Sequence, residues 1–176
     1  MTNVIHNTMC GIIYSKITED NPAISNGCRI NNLFELQKHR GVDGFGYVEI
    51  MPNRISLKRF VKEDDAIKAL KESKSTEILF HHRVPTSTEN NTKTNHPIVA
   101  DNDVYNHKYY LIHNGFIMNC YKLRNEHKEL GIEYSTNDGA VFNDSESLLH
   151  ELALVIEGLK TPDEFDAEGS LAYIML

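Results

Sequence analysis

The sequence has no apolar run near the roughly 18–20 residues that a membrane-spanning helix needs. It also lacks any cluster of Lys and Arg: 18 basic residues stand against 25 acidic ones, for a formal net charge of −7. That balance argues against a polyanion such as nucleic acid as an electrostatically recruited partner. The first nine residues are polar and hold no apolar segment, so they do not form a secretory signal. Only three cysteines occur, Cys10, Cys28 and Cys120, an odd number at unrelated spacings. This excludes a disulfide framework and suits a reducing compartment. No internal repeat, linker or low-complexity tract interrupts the 176 residues, a length that most simply makes one domain with a sizeable core. The expectation is a soluble, cytoplasmic protein that engages neither membrane nor nucleic acid.

What is present is a mixture of strand and helix patterns. The apolar run from Cys10 to Tyr14 predicts a short strand buried on both faces. Residues 18–27 are turn-rich. Ile30, Leu33, Phe34 and Leu36 recur at roughly helical spacing and predict a helix over 29–39. It runs into Arg40-Gly41-Val42-Asp43-Gly44-Phe45-Gly46, where the glycines predict a loop that breaks helix and strand alike. Pro52-Asn53 sits between strand patterns over 47–50 and 54–60, a hairpin signal. A short helix over 64–74 follows, capped by Asp64, with Ala66, Ile67, Ala69 and Leu70 inward.

The strand pattern over 77–82 delivers Arg83, and the polar segment 87–94 reads as an exposed loop closed by Asn95-His96-Pro97. Residues 109–112 predict a strand running into a turn at His113-Asn114-Gly115. A helix over 119–130 stops at Gly131. Asp144 stands where an N-cap belongs. Beyond it, Leu148, Leu149, Leu152, Val155, Ile156 and Leu159 make the strongest amphipathic stripe in the chain, read as core. A solvated acidic loop over 163–168 and a strand over 169–176 complete the order. Antiparallel strands mixed with helices predict an α+β fold of sheets covered by helices.

Chemistry gathers first at Cys10. If processing exposes Cys10 as the first residue, one residue carries both a nucleophilic thiol and a base. Its α-amino group titrates near pH ~7.7–8.0, so no histidine partner is needed to take the thiol proton. The plain alternative is a small core cysteine opening a strand. Asn-Gly after a strand reads equally as a hairpin turn, and Asp144 as a helix cap and nothing more. The adjacent His81 and His82 do not read as a metal site, because neighbouring strand residues point to opposite faces and no cysteine or carboxylate spacing supports zinc. Neither a metal nor a cofactor is expected. Cys28 and Cys120 read as inert thiols.

Seven short motifs, in order, resemble one family. They are Cys10-Gly11-Ile12; Arg40-Gly41-Val42-Asp43-Gly44-Phe45-Gly46; His81-His82-Arg83-Val84-Pro85-Thr86; Asn95-His96-Pro97; His113-Asn114-Gly115-Phe116-Ile117-Met118-Asn119; Asp144-Ser145-Glu146; and a closing strand with Gly169, Ala172 and Leu176. The set resembles the class II glutamine amidotransferase domain, an N-terminal nucleophile hydrolase, as in the glutaminase domain of glucosamine-6-phosphate synthase. The resemblance implies an αββα sandwich of two mainly antiparallel sheets flanked by helices. It implies that Cys10 attacks the side-chain amide of L-glutamine and forms a γ-glutamyl thioester. The Asn114 side-chain amide and the Gly115 N–H would hold the oxyanion. Arg83 would grip the substrate α-carboxylate through its planar fork, and Asp144 the α-ammonium group. Thr86 would be a second substrate contact, and His96 would stand beside the substrate in a mainly structural role.

The sequence also departs from that family. Cys10 is not at position 2, so residues 1–9 are expected to be a leader or propeptide, or translation begins at Met9, leaving 10–176 as the domain. Val84 replaces a common aromatic residue, the 87–95 loop differs in length, and the closing strand suggests a C-terminally shortened form. No acceptor domain fits in the 176 residues, so either a separate synthase partner is expected to take the ammonia or the chain is a free-standing amidase. The alternatives are a hydrolase of another γ-glutamyl amide and a non-catalytic relative that binds a ligand or partner.

Overall fold

A computed structural model describes residues 10–17, 25–84, 88–137 and 141–176. Residues 1–9, expected to be a leader or propeptide, and Thr86 lie outside these. Four strands form the first sheet: β1 (Gly11–Lys16), β2 (Gly44–Met51), β3 (Arg54–Phe60) and β4 (Glu77–Arg83), all antiparallel and in the order β1-β4-β2-β3. The β2–β3 hairpin closes over Pro52-Asn53, with Met51 opposite Arg54. Three strands form the second sheet: β5 (Ile98–Ala100), β6 (Tyr109–Ile117) and β7 (Gly169–Met175), antiparallel in the order β5-β6-β7.

Each sheet carries helices on its outer face, and strand alternation explains the three cores. Ile78 and Phe80 of β4 and Phe45 and Tyr47 of β2 point outward onto Ile30 and Phe34 of α1 (Asn26–Gln37) and Ala66 and Leu70 of α2 (Glu63–Glu72). Leu79 and Val48 point the other way, onto Tyr110 and Ile112 of the second sheet, and Ile12 and Ile174 join them. The outer face of the second sheet buries Leu111 against Leu123 of α3 (Cys120–Glu129) and Leu148, Leu149 and Leu154 of α4 (Ser145–Ile156). Each such side chain, fully buried, stabilises by about 1.5–3 kcal/mol. The result is helix, sheet, sheet, helix: the α+β, αββα sandwich expected. No helix among the described residues is long and apolar enough to cross a membrane.

Several local expectations change. β1 is an edge strand, with Ile13 buried, Ile12 partly so and Tyr14 43 % exposed, so it is not covered on both faces. Gly44 and Gly46 lie inside β2 rather than in a loop. A Cβ on Gly46 would overlap the His96 carbonyl oxygen, and one on Gly44 would press on the Asn95 and Asn90 side chains. These glycines serve a chain crossing, not a turn. His113-Asn114-Gly115 likewise continues β6, opposite Tyr173, Ala172 and Leu171.

The helices shift too. α1 starts at Asn26, capped by the Ser25 hydroxyl that accepts from Cys28 N at 3.3 Å. In α2 the N-cap is Lys62, and Asp64 sits inside the first turn, where its charge suits the helix dipole. The apolar stripe does not stay buried: Ile156 at the end of α4 is 62 % and Leu159, beyond the helix, 54 % exposed, while Glu146, His150 and Glu151 are buried instead. Partners make that possible. His127 Nε2 lies 2.8 Å and Lys160 Nζ 2.6 Å from Glu151 Oε1, and Tyr105 Oη lies 2.8 Å from His150 Nδ1. Of the segment 87–94 expected to be exposed, Thr94 is buried, as is Asn95, which closes it.

Candidate active site

Cys10 stands at the entrance to β1, one residue before Gly11 pairs with His82. Glycine is required at 11 because a Cβ there would overlap the His82 ring. That ring is fixed by an edge contact with Phe34 and by the Gly41 carbonyl, 2.8 Å from Nδ1. A carbonyl only accepts, so Nδ1 carries the hydrogen. Arg40 Nε donates to the Cys10 carbonyl at 3.2 Å. The Cys10 side chain is half-buried, its Sγ 3.7 Å from the Val84 carbonyl, to which the thiol donates. Burial pushes the thiol up from its ordinary range, with the Arg83 charge opposing. The sulfur is therefore a neutral thiol at neutral pH and needs a base before it can attack.

Arg83 closes β4 and is buried. Its Nη1 donates to the Glu89 carbonyl at 3.3 Å, Thr94 Oγ1 at 3.2 Å and Asn95 Oδ1 at 3.1 Å, and its Nη2 to the hydroxyl and carbonyl of Thr88. All of these acceptors are neutral. Burial pulls the guanidinium down from its ordinary range, with Cys10 and Asp144 opposing. A buried cation whose hydrogen bonds end on neutral oxygens is suited to an anionic ligand group.

The N-terminus of α4 supplies the opposite wall. Asp144 holds the N-cap position, but with helical φ and ψ of −57° and −29° and no side-chain cap. Its carboxylate turns away and accepts from Ile117 N at 2.8 Å. Asn143 caps in its place: Oδ1 accepts from Ser145 N at 3.0 Å, while Nδ2 donates to the Thr94 carbonyl at 2.8 Å. The Ser145 hydroxyl lies 2.9 Å from His113 Nδ1, and the Ser170 carbonyl 2.9 Å from His113 Nε2. The carbonyl assigns the hydrogen to Nε2, so Ser145 donates to Nδ1 of a neutral ring. Burial holds His113 below its ordinary pKa, consistent with that neutral form. Glu146 ties down the preceding loop by accepting from Ser135 N at 2.5 Å and from Thr136 N and Oγ1 at 2.9 and 2.5 Å.

Cys10, Arg83, Val84, His96, His113 and Gly115, with 143–145, line one small, partly open cavity of about 20 Å³. Five of the seven site residues expected from the sequence thus meet at one place: Cys10, Arg83, His96, Gly115 and Asp144. Asn114 does not line the cavity. Alternation puts it on the face of Ile112, in the inter-sheet layer, as Cys10 is two residues before Ile12 of that same layer. Thr86 falls outside the described residues. No group of three or more His, Cys, Asp or Glu able to hold a metal occurs among the described residues.

A solved structure of glutamine phosphoribosylpyrophosphate amidotransferase from B. subtilis, in complex with ADP and GMP, matches 96 % of this chain at TM-score 0.61 and 15 % identity. The two share a fold. A second solved structure, of the allosteric regulatory enzyme of purine biosynthesis, matches 96 % of the chain at TM-score 0.58 and 15 % identity. The chain spans about a third of the length of either, 34 % and 35 %. No protein-family model and no curated protein matches the sequence.

His113, Asn143 and Ser145 also line the cavity, although the sequence motifs gave none of them a role. His113 and Ser145 stood inside motifs without drawing attention to themselves. Asn143 gave one signal, an amide next to an expected N-cap, because Asn caps helices as well as Asp does.

Proposed function

We propose that this chain is a glutamine-hydrolysing amidotransferase domain that works through a Cys10 thioester. With Cys10 at the N-terminus, its α-amino group takes the thiol proton as sulfur bonds to the carboxamide carbon of glutamine. The Asn114 amide and the Gly115 N–H receive the oxyanion. The carbon–nitrogen bond breaks, the proton passes to the leaving nitrogen, and ammonia departs. Water then cleaves the thioester to give glutamate and the free thiol. Arg83 holds the α-carboxylate and Asp144 the α-ammonium group, with Thr86 and His96 alongside. The ammonia goes to a separate acceptor protein, in the cytoplasm.

The observation that carries this reading is that Cys10, Arg83 and Asp144 line one cavity, with the Arg83 and Asp144 charges both acting on the Cys10 thiol. A cation and an anion flanking a nucleophile suit an amino acid with both termini free. The raised thiol adds weight, since a thiol that stays protonated calls for the kind of base that an N-terminal amine provides. The test is ammonia and glutamate release from glutamine by a chain beginning at Cys10, with Cys10→Ala alongside. Turnover that survives Cys10→Ala removes the mechanism. Turnover of other γ-glutamyl amides in preference to glutamine moves the substrate and keeps the chemistry.

A non-catalytic reading draws on one feature: the Arg83 fork is already engaged by oxygens of residues 88–95. Glutamine that binds without turnover to the chain beginning at Cys10 favours that alternative.

A further inference from the structure

Glu146 is fully buried on the first turn of α4, one residue beyond the cavity-lining 143–145, and the proposed mechanism gives it no part. Its carboxylate is held by neutral donors. Oε1 accepts from Ser135 N at 2.5 Å, and Oε2 from Thr136 N and Oγ1 at 2.9 and 2.5 Å. Burial pushes the carboxyl up, and His150 and Thr136 more than offset that, so Glu146 is ionised at neutral pH. An ionised carboxylate only accepts. The single hydroxyl hydrogen of Thr136 therefore goes to Glu146, which leaves the Thr136 oxygen to accept from Asn143 N at 2.9 Å.

From Asn143 the hydrogen bonds run on to the substrate side. Asn143 Nδ2 donates to the Thr94 carbonyl at 2.8 Å, and Thr94 Oγ1 accepts from Arg83 Nη1 at 3.2 Å while donating to the Glu89 carbonyl at 2.7 Å. Every link is buried: Thr136, Asn143, Thr94 and Arg83 are each 3 % exposed or less, so water does not compete for these groups. We infer that Glu146 is a positioning residue: its carboxylate, acting through Thr136, Asn143 and Thr94, aims the Arg83 guanidinium at the α-carboxylate of the substrate. The inference rests on the proposed role of Arg83 and names what fixes its orientation. Slack at Thr94 tilts a planar fork whose two-point grip depends on alignment, and so weakens substrate binding more than the chemistry at Cys10.

The experiment uses chains beginning at Cys10 and compares kcat/KM for glutamine with that for glutamine α-amide, whose α-carboxylate charge is gone. The parent is expected to prefer glutamine. Glu146→Gln offers one acceptor oxygen where the carboxylate offers two, and Thr136→Val removes the link to Asn143. Each is expected to shrink that preference about tenfold through KM, with kcat within a few-fold. Thr136→Ser keeps the hydroxyl and is expected to match the parent. In an Arg83→Lys background, where the fork is already lost, Glu146→Gln should cost nothing further. An equal loss on both substrates, or a full tenfold effect in the Arg83→Lys background, means that Glu146 only holds the fold together and overturns its positioning role. A parent without preference between the two substrates overturns the role of Arg83 and this inference while leaving the Cys10 thioester in place. A parent that releases no ammonia from glutamine overturns the proposed function and this inference with it.

Discussion

Acidification should unfold this protein through its histidines before its carboxylates titrate. His81 is fully buried, and burial, with His82 beside it, pushes it down to about 3 from an ordinary 6.5. His82, His96, His113 and His150 are lowered as well, each chiefly by burial. A group whose folded pKa is depressed contributes stability that is complete above its unfolded pKa and is lost as pH falls towards its folded value. Between pH 7 and pH 5 the unfolded chain protonates at His81 while the folded chain does not. That difference amounts to about 2 kcal/mol from His81 alone, at 1.36 kcal/mol per pH unit.

The same protons would disturb the site, because a protonated His113 can no longer accept from Ser145 at 2.9 Å. Urea unfolding followed by circular dichroism at pH 7, 6 and 5 measures the slope directly. The expected loss exceeds 2 kcal/mol by pH 5, since several histidines contribute, and His81→Gln should remove about 2 kcal/mol of it. Stability that holds constant across this range, or an unchanged loss in His81→Gln, would refute the argument that these rings are buried and neutral.

Other perturbations test single contacts. Asn143→Ala removes the α4 cap and strands the buried Thr94 carbonyl, so it should cost about 2–4 kcal/mol in urea unfolding. Arg83→Lys keeps the charge and loses the fork, so KM for glutamine should rise on the order of tenfold or more with kcat less affected, as read by steady-state ammonia release. Asn114→Ala should lower kcat by roughly 10²–10³ and leave KM nearly unchanged if its amide meets the oxyanion.

Local periodicity made much of the fold readable. The Pro52-Asn53 hairpin, the helix stopped by Gly131 (φ +80°) and the strand delivering Arg83 all follow from nearest-neighbour chemistry. What stayed hidden depends on partners far along the chain. Gly44 and Gly46 look like loop formers until residues 95 and 96 cross over them. Asn114-Gly115 looks like a turn until β7, more than fifty residues later, pairs with it. α4 looks amphipathic by its leucines, yet Glu146 and Glu151 are buried because Thr136, Ser135, His127 and Lys160 satisfy them. The Glu146-to-His150 spacing, one helical turn, was the available hint.

For the site, Cys10, Arg83 and Asp144 could be named from short motifs, and Asp144 could hold a ligand only if its side chain left the helix end. It does leave, because Asn143 caps instead and Ile117 N holds the carboxylate. Residue types alone could not reveal that His96 has two unpaired nitrogens.

In the proposed mechanism Cys10 becomes a nucleophile through its own α-amino group. The direct measurement is ammonia release from glutamine by two preparations of the same chain, one beginning at Cys10 and one retaining residues 1–9. In the second preparation Cys10 carries a peptide nitrogen that cannot accept a proton. Turnover is expected from the first and none above background from the second. Equal turnover by both would contradict that mechanism and would require another base for a thiol that burial keeps protonated.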